Sequence, residues 1–437
     1  MNGHAIILAA GLGTRMKSSL PKCLHPIGGR PMILHLIETV SQVFGRVTVV
    51  VGPGMESVAR AVAPHAVVVQ QERLGTAHAA LQAAPGFGTE EVAVLYADNP
   101  LISAATMRAL RARRAAGDAA LALLAMRPPE PGKYGRVVEE GGYVRRIVEA
   151  AEASEAERRI TLCNAGVLCA AGPDLLRWLR RVRNDNSKGE YYLTDVVALA
   201  DAEGARVAAV EAPFEELRGV NSRAELAEAE AALQAGLRRA AMEGGATLIA
   251  PETVFLAPDT VLAADVVVGP NVVFGPGVVV ESGAEIRAFS HLEGCLVRQG
   301  AVIGPFARLR PGAEVGRAAH VGNFVELKAA VLGEGAKANH LAYLGDCAVG
   351  AGSNIGAGTI TCNYDGVRKH RTEIGAGCFI GSDSVLVAPV AVGDGAFIAA
   401  GSVITSDVPA EALSFGRARQ TVLPGRAAAL RAAKGTR

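Results

Sequence analysis

A glycine-rich turn follows the first apolar segment of the chain, and basic residues accompany it. The segment Leu8–Met16 reads LAAGLGTRM and includes Gly11, Gly13 and Arg15, and Lys22 follows in a Leu-Pro-Lys sequence. Glycines let backbone N–H groups approach an anion, and cations beside them suit phosphate. No Gly-Lys-Ser/Thr sequence follows, so this is not a Walker A loop. The pattern predicts a site for nucleotide phosphates, and the alternative is a solvated basic loop.

Further polar residues are expected at the same end of the predicted sheet. Gln70 precedes a Gly75-Thr76 turn, and Asp98 follows the apolar strand that ends at Tyr96. Ligands of parallel sheets bind at the carboxyl ends of the strands. A carboxylate there suits Mg²⁺, which prefers one or two carboxylates together with phosphate oxygens. The alternative role for Asp98 is to cap a turn.

The C-terminal half holds a second group of reactive side chains. Arg310, Lys328 and Lys369 are basic, and His340 precedes Tyr343 by three positions. An imidazole titrates near neutral pH and is suited to removing a proton from an amine. Surface cations are common on repeat proteins, however, and a lone histidine is more often structural.

The composition limits the partners of the protein. The chain has 437 residues and a formal net charge of +1, which disfavours general binding to nucleic acid or membrane. No apolar run reaches about 18 residues, and the first ten residues show no signal-peptide pattern. The seven cysteines form no C-x-x-C pair, which disfavours zinc and disulfide frameworks. We therefore expect a cytoplasmic protein with reduced thiols.

Apolar strands alternate with amphipathic helices in the N-terminal half. This alternation predicts an α/β domain with a mostly parallel sheet that is covered on both faces. A stretch rich in Ala, Leu, Glu and Arg then predicts a connecting helix over 222–241, with Ser222 as N-cap and an end near Gly244. The predicted strands are Ala5–Ala10, Val47–Val51, Val67–Gln70 and Val92–Tyr96, and the predicted helices are Pro31–Val43 and Ser103–Ala116.

After Ala250 an aliphatic residue or Phe recurs every six positions. A solenoid with three short strands per coil keeps such a register, whereas a β-sandwich shows turns at about 8–12-residue spacing. The register breaks at Thr361–Glu373, which we expect to leave the coil as a loop that carries function. The repeating positions are Leu256, Leu262, Val268, Phe274, Val280, Ile286 and Leu292, then Val297, Ile303, Leu309, Val315, Val321 and Leu327, and finally Ile374, Ile380, Leu386, Val392, Ile398 and Ile404.

Two motif sets carry a resemblance to known enzymes. The hexads resemble the all-β, left-handed parallel β-helix of the hexapeptide acyltransferases, which usually trimerise. The N-terminal turn and several later segments resemble the sugar-1-phosphate nucleotidyltransferases. From about Ile6 to Gln420 the chain is similar to bifunctional enzymes that join an N-acetylglucosamine-1-phosphate uridylyltransferase to a glucosamine-1-phosphate N-acetyltransferase. The later segments are Tyr134–Val137, Ile147–Glu149, Leu162–Gly166, Gly189–Asp195 and Gly219–Asn221.

For the N-terminal half, the resemblance implies a site for UTP and N-acetylglucosamine 1-phosphate. It implies that Arg15 and Lys22 stabilise the phosphates during catalysis and that Asp98 and Asn221 ligate Mg²⁺. After Glu149 the chain reads Ala-Ala-Glu where the family has a polar residue and an Asp, a departure that concerns contacts to the sugar. The residues implied to bind UTP or UDP-N-acetylglucosamine are Leu8, Ala9, Ala10, Gly11, Gly13, Lys22, Gln70, Gly75, Thr76, Tyr96, Asp98, Gly135, Glu149, Asn164 and Asn221.

For the C-terminal half, the resemblance implies a site for glucosamine 1-phosphate and acetyl-CoA. It implies that His340 is the general base. A covalent route through Cys347 or Cys362 is the alternative, although neither has a base beside it in sequence. The residues implied to bind the amino-sugar phosphate are Arg310, Lys328, Tyr343, Asn354 and Lys369, and those implied to bind acetyl-CoA are Ala357, Asn363, Tyr364, Ser382, Ala400 and Arg417.

Three other functions are alternatives to the bifunctional one. A monofunctional nucleotidyltransferase with a non-catalytic β-helix would not need the clustered basic residues. A scaffold with two decayed sites would be expected to lack Lys22, Asp98 or His340, and all three are present. A metal-dependent lyase of the carbonic-anhydrase type needs several histidines around one metal, and the nine histidines here lie far apart.

The sequence therefore predicts an enzyme that makes UDP-N-acetylglucosamine in two steps. Acetyl-CoA acetylates glucosamine 1-phosphate in the C-terminal domain, and UTP then uridylylates the product in the N-terminal domain. The predicted domains are 1–221 and 246–437, joined by a helix over 222–245, with a homotrimer formed through the β-helix. The basic tail after Gln420 is expected to be loose over its last ten or so residues.

Overall fold

The computed structural model describes residues 2–434, which form two compact units. The units divide between Gln234 and Ala235, inside the helix Arg223–Glu243. Ser222 accepts a hydrogen bond from the backbone N–H of Glu225 at 3.2 Å, as expected of an N-cap. None of the described helices is both long and apolar enough to cross a membrane.

The first unit is built on a mixed sheet whose central strand is His4–Leu8. This strand pairs in parallel with Arg46–Val51 on one side and with Glu91–Tyr96 on the other. Beyond Glu91–Tyr96, Cys163–Ala171 runs antiparallel to its neighbours. The strands of this unit are His4–Leu8, Pro26–Ile27, Arg30–Pro31, Arg46–Val51, Ala66–Val69, Glu91–Tyr96, Leu121–Met126, Arg136–Glu140, Tyr143–Val148, Cys163–Ala171 and Val207–Glu211.

Helices cover this sheet on both faces, as the alternating pattern predicts. In the central strand Ile6 and Ile7 point to opposite sides and join two separate buried cores. The helices are Met32–Ser41, Glu56–Ala61, Thr76–Gln82, Ala104–Ala115, Glu155–Arg158, Gly172–Leu179, Asp195–Ala202, Phe214–Leu217 and Arg223–Glu243, with 3₁₀ turns at Thr14–Met16, Lys22–Leu24 and Ala84–Gly86.

The second unit is a parallel β-helix. Strands one coil apart pair in parallel, mostly with a spacing of 18 residues, as for Val268 and Ile286, or 17, as for Val280 and Val297. The coil that carries the loop is longer, since Cys347 pairs with Thr372. The strands are Thr247–Leu248, Val261–Leu262, Val267–Val268, Val273–Phe274, Val279–Val280, Glu285–Ile286, His291–Leu292, Leu296–Val297, Val302–Ile303, Arg308–Leu309, Glu314–Val315, His320–Asn323, Glu326–Leu332, Lys337–His340, Tyr343–Val349, Asn354–Ile355, Ile360–Cys362, Thr372–Ile374, Phe379–Ile380, Val385–Val387, Val390–Val392, Phe397–Ile398, Val403–Ile404 and Leu413–Ser414, preceded by a 3₁₀ turn at Pro251–Thr253.

The six-residue register points into the core of this coil. Every predicted hexad position is buried there except Leu262, which packs against the core while half-buried. The coil also continues through the stretch where the sequence showed no hexads, with Ala338, Leu344 and Ile355 among the inward positions. At Thr361 the inward residue is a fully buried threonine whose hydroxyl accepts from Gly345 N–H at 2.8 Å. A polar side chain can fill that position because its hydroxyl is hydrogen-bonded.

Two expectations about irregular segments need correction. The predicted loop Thr361–Glu373 is too long, because Thr361 pairs with Leu386 and Thr372–Glu373 pairs with Cys347–Ala348, so only residues 363–371 leave the coil. The described part of the C-terminal tail has regular structure, because Arg426–Lys434 is helical, with exposed side chains over residues 426–433. The rest of the predicted loose segment, residues 435–437, lies outside the described residues.

We predict that truncating an inward hexad residue destabilises the β-helix. Ile303 is fully buried and stacks between Ile286 and Val321 of the adjacent coils. Ile303→Ala should lower the free energy of unfolding by about 2–5 kcal/mol, because it removes buried apolar area and leaves a cavity. Urea unfolding measures this. The control is Val302→Ala at the neighbouring outward position, which should cost less than about 1 kcal/mol; equal losses would contradict the inward assignment.

Candidate active sites

A cavity of about 530 Å³ opens at the carboxyl ends of the central strands in the first unit. The glycine-rich turn forms one wall of the cavity. A Cβ at Gly13 would lie 2.6 Å from Cβ of Lys22, so this glycine lets the turn approach the lysine. The predicted residues that line the cavity are Leu8, Ala9, Ala10, Gly11, Gly13, Lys22, Gln70, Gly75, Thr76, Tyr96 and Asp98.

The two predicted metal ligands converge on one point of this cavity. Lys22 Nζ donates to Asp98 Oδ2 at 2.5 Å and to Asn221 Oδ1 at 3.0 Å. A cation therefore already lies between a carboxylate and an amide oxygen. Oxygen ligands of this kind are those that Mg²⁺ prefers, provided that phosphate and water complete the set.

Backbone contacts hold the two oxygen ligands together. Val220 N–H donates to the Asp98 carbonyl at 2.8 Å, which fixes the segment that carries Asn221 against Asp98. The next residue, Asn99, is buried and donates to the Leu217 carbonyl at 2.6 Å. A buried amide with satisfied donors stiffens the loop, so the carboxylate position is preorganised.

A second glycine shapes the side of the cavity that is expected to bind the uracil base of UTP. Gly75 has φ +115°, and a Cβ there would lie 2.5 Å from the Tyr191 carbonyl oxygen. The Thr76 hydroxyl accepts from Leu193 N–H at 2.9 Å. Gln70 is 3% exposed and donates to the Gly75 carbonyl at 3.1 Å. The segment around 190–193 therefore packs against this turn and closes the side of the cavity.

The residues predicted to contact the sugar also lie together. A Cβ at Gly135 would lie 3.7 Å from Glu149 Oε1, and the Gly135 carbonyl accepts from Asn164 N–H at 2.8 Å. Burial raises the pKa of Glu149, and Thr194 donates to its Oε1 at 3.2 Å. Burial, together with Glu152 and Glu149, raises the pKa of Asp195 to about 6.

Two arginines lie beside the glycine-rich turn. Arg15 is exposed on the 3₁₀ turn Thr14–Met16 and is not among the residues that line the cavity. Arg73, which the sequence motifs do not point to, does line it, and its Nε donates to the Ala10 carbonyl at 2.8 Å.

The segment after Glu149, where the chain departs from the family pattern, has its own contact. Glu152 of this segment accepts a hydrogen bond from the Ser187 hydroxyl at 3.2 Å.

Three cations gather on the β-helix. Arg310 Nη1 donates to Glu326 Oε1 at 2.9 Å, and Lys328 Nζ lies 3.4 Å from Asp346 Oδ2. Lys369 is close enough that the Lys328 ammonium lowers its pKa, and Arg310 acts in the same direction. Cations held this close to one another favour an anion between them, as a phosphate would be.

His340 lies one coil away from a polar partner. Its Nδ1 is 2.7 Å from Oδ1 of Asn323, the residue paired with it on the adjacent strand. An amide oxygen accepts, so the ring carries its proton on Nδ1 and leaves the Nε2 lone pair free. Nearby, the missing side chain of Gly345 leaves room for Tyr343, because a Cβ there would lie 2.5 Å from the tyrosine hydroxyl.

The residues predicted to bind acetyl-CoA follow one another along the coil. The Ala357 carbonyl accepts from Asp383 N–H at 2.7 Å, and the Ser382 carbonyl accepts from Gly401 N–H at 2.8 Å. A Cβ at Gly401 would lie 3.6 Å from Cδ of Arg417. These contacts place Ala357, Ser382 and Arg417 on successive coils of the β-helix.

The loop 363–371 stands beside the cation cluster. Asn363 donates through Nδ2 to Asp346 Oδ2, the carboxylate that also faces Lys328. Tyr364 is exposed and donates to the Gly366 carbonyl at 2.6 Å. Asn354 lies on a strand that pairs with Lys337–His340, the strand that carries His340.

The cysteines near this site are poorly suited to a covalent route. Burial raises the pKa of Cys347 to about 12, so its thiol stays protonated at neutral pH. Cys362 ends the strand Ile360–Cys362 and is free, like the other six cysteines. The burial of Cys347 therefore disfavours an acyl intermediate on that thiol.

Asn323 and Asp346 were missed by sequence reasoning. Both contact predicted site residues from a neighbouring coil, since Asn323 pairs with His340 and Asp346 faces Lys328 and Asn363. The coil spacing of 17 or 18 residues, applied to the predicted residues, would have found them.

Comparisons with known proteins agree with this architecture. Residues 5–182 match the MobA-like NTP transferase domain, and residues 371–406 match the bacterial transferase hexapeptide (six repeats). A relative from Gluconacetobacter diazotrophicus, named Bifunctional protein GlmU, is 69% identical over 98% of this chain and 94% of its own length. One of the same name from Acidiphilium cryptum is 64% identical over 100% of both chains. The chain therefore belongs to the family of the bifunctional GlmU proteins.

Proposed function

We propose that the chain makes UDP-N-acetylglucosamine in two reactions, one in each unit. The observation that carries this proposal is that each unit holds its own complete set of reactive groups. Lys22 and Asp98 line a nucleotide-sized cavity, where Lys22 also donates to Asn221, and the β-helix carries both a cluster of three cations and a histidine that uses Nδ1 to bond Asn323. A β-helix that served only as a scaffold would not need the second set.

In the first unit, a phosphate oxygen of N-acetylglucosamine 1-phosphate attacks the α-phosphorus of UTP. A new P–O bond forms, the bond to the bridging oxygen breaks, and pyrophosphate leaves. The attacking phosphate is already ionised, so no protein nucleophile is needed, and the protein acts by positioning and by stabilising charge. The glycine-rich turn, Lys22 and Arg15 would hold the phosphates, and Gly135, Glu149 and Asn164 would hold the sugar.

The first unit also fits Mg²⁺ as its cofactor. Asp98 Oδ2 and Asn221 Oδ1 already converge on one positive charge, the Lys22 ammonium. Bound there with phosphate oxygens, Mg²⁺ would neutralise charge on the transferring group. Lys22, which lies on these two oxygens, would be close enough to the same site to contribute its positive charge to a bound phosphate.

In the second unit, the amine of glucosamine 1-phosphate attacks the carbonyl carbon of acetyl-CoA. The C–N bond forms as His340 Nε2 takes a proton from the amine, and the C–S bond breaks to release CoA as a thiolate that accepts a proton. Asn323 keeps the Nε2 lone pair available by accepting from Nδ1–H. Arg310, Lys328 and Lys369 would bind the phosphate, and Tyr343 and Asn354 the sugar.

The scaffold alternative finds no support in the site geometry. A decayed scaffold would have no reason to keep the Lys22–Asp98 and His340–Asn323 contacts.

The assembly and the cellular setting are part of the proposal. Stacked, exposed aromatic side chains along the coil, such as Phe289, Phe306 and Phe324, support a homotrimer formed through the β-helix. We also place the enzyme in the cytoplasm, where its nucleotide and CoA substrates are found and where seven free cysteines stay reduced.

We predict that His340→Ala separates the two activities. Without the base, acetyl transfer should fall by about 10²-fold or more, while uridylyl transfer should keep its rate because its site has its own groups. Acetyl transfer is followed by release of the CoA thiol, and uridylyl transfer by release of pyrophosphate. An equal loss of both activities would refute the two-site account.

Asp98→Asn should give the reverse pattern. The amide keeps the shape of the carboxylate but loses its charge, so we expect uridylyl transfer to fall by about 10²-fold or more and to require a higher Mg²⁺ concentration. Acetyl transfer by the same preparation serves as the internal control and should be unchanged. A variant with the Mg²⁺ dependence of the parent chain would show that Asp98 is not a metal ligand.

A further inference from the structure

His78 lies behind Gln70, at the end of the cavity expected to take the base. It is half-buried on the helix Thr76–Gln82, and its Nδ1 is 3.0 Å from Gln70 Nε2. The same Gln70 nitrogen donates to the Gly75 carbonyl at 3.1 Å. Two groups therefore hold the Gln70 amide, namely the Gly75 carbonyl and the His78 ring.

The Gly75 carbonyl fixes which way the Gln70 amide points. A carbonyl oxygen can only accept, so the Gln70 atom facing it must be the NH₂ group, and the second hydrogen of that group points to His78. His78 Nδ1 must then accept, which places the ring proton on Nε2. Gln82 does not present its oxygen to the ring, because its Nε2 donates to the His78 carbonyl at 3.1 Å and lies 3.3 Å from the ring Nε2.

This arrangement leaves one polar atom of Gln70 for a ligand. Gln70 lines the cavity, and within residues 2–434 no group donates to its Oε1. Uracil presents an N3–H donor, which an amide oxygen satisfies. Cytosine presents a lone pair at N3, which the same oxygen repels. A site that leaves a buried polar group unpaired discriminates strongly against the wrong ligand.

We propose that His78 is a positioning residue that sets the choice of nucleotide base by fixing the Gln70 amide. This inference rests on the proposed uridylyl transfer and adds to it the origin of the preference for uracil. His78 does not touch the substrate. It acts together with the Gly75 carbonyl to keep the Gln70 oxygen turned to the base. Without His78 a single hydrogen bond holds the amide, which can then rotate more readily and offer its NH₂ group to N3 of cytosine.

Base selectivity in a pair of variants tests the proposal. The ratio of kcat/KM for UTP to kcat/KM for CTP is measured with N-acetylglucosamine 1-phosphate in the parent chain, His78→Leu and His78→Asn. Leucine cannot accept, so we expect the ratio to fall by about tenfold or more, with a rise in KM for UTP and little change in kcat. Asparagine offers an acceptor oxygen and should restore much of the ratio.

Controls separate this proposal from a general loss of structure and from the proposed function. Gln82→Leu changes the other side of the ring and should leave the ratio within about twofold of the parent. 5-Methyl-UTP carries the same N3–H as UTP, so the ratio of kcat/KM for UTP to kcat/KM for 5-methyl-UTP should be the same in His78→Leu as in the parent chain. An unchanged UTP/CTP ratio in a His78→Leu variant that still uses UTP would overturn the inference alone. A parent chain that uses no UTP would instead overturn the proposed function.

Discussion

Parallel pairing of strands is the constraint on which both sites depend. In the first unit it brings the carboxyl ends of His4–Leu8 and Glu91–Tyr96 to one edge, so the glycine-rich turn and Asp98 meet although they are far apart in sequence. In the second unit the same pairing stacks residues that are mostly 17 or 18 positions apart. Strand pairing thereby brings reactive side chains together that lie far apart in the sequence.

The two sites share an electrostatic design. Each holds a lysine against a carboxylate, Lys22 with Asp98 and Lys328 with Asp346. Such a pair keeps the cation in place at modest cost while the site has no phosphate, and a phosphate can then compete for the lysine. A neighbouring amide supports each pair. Asn221 accepts a hydrogen bond from Lys22, and Asn363 donates one to Asp346, so each amide limits the movement of the charged group that it contacts.

Periodicity predicted more of this structure than local residue chemistry did. The hexads predicted the β-helix correctly because a six-residue register buries one residue per strand. The left-handedness of the coil stays a prediction. The register was lost at Thr361 because a hydroxyl can replace an aliphatic group once it is hydrogen-bonded. The roles of Asn323 and Asp346 could not be seen locally, since each acts across a coil. The helix Arg426–Lys434 is rich in Ala, Arg and Leu, which favour helices. The prediction missed it because it rested on the position of the segment at the end of the chain and not on its composition.

The central claim is that one chain holds two working sites used in a fixed order. It is tested most directly by incubating the purified chain with glucosamine 1-phosphate, acetyl-CoA, UTP and Mg²⁺ and by omitting each in turn. The account predicts UDP-N-acetylglucosamine only with the full set, and N-acetylglucosamine 1-phosphate when UTP is absent. If supplied N-acetylglucosamine 1-phosphate is uridylylated but no acetylation occurs, the β-helix is a scaffold and the account is wrong.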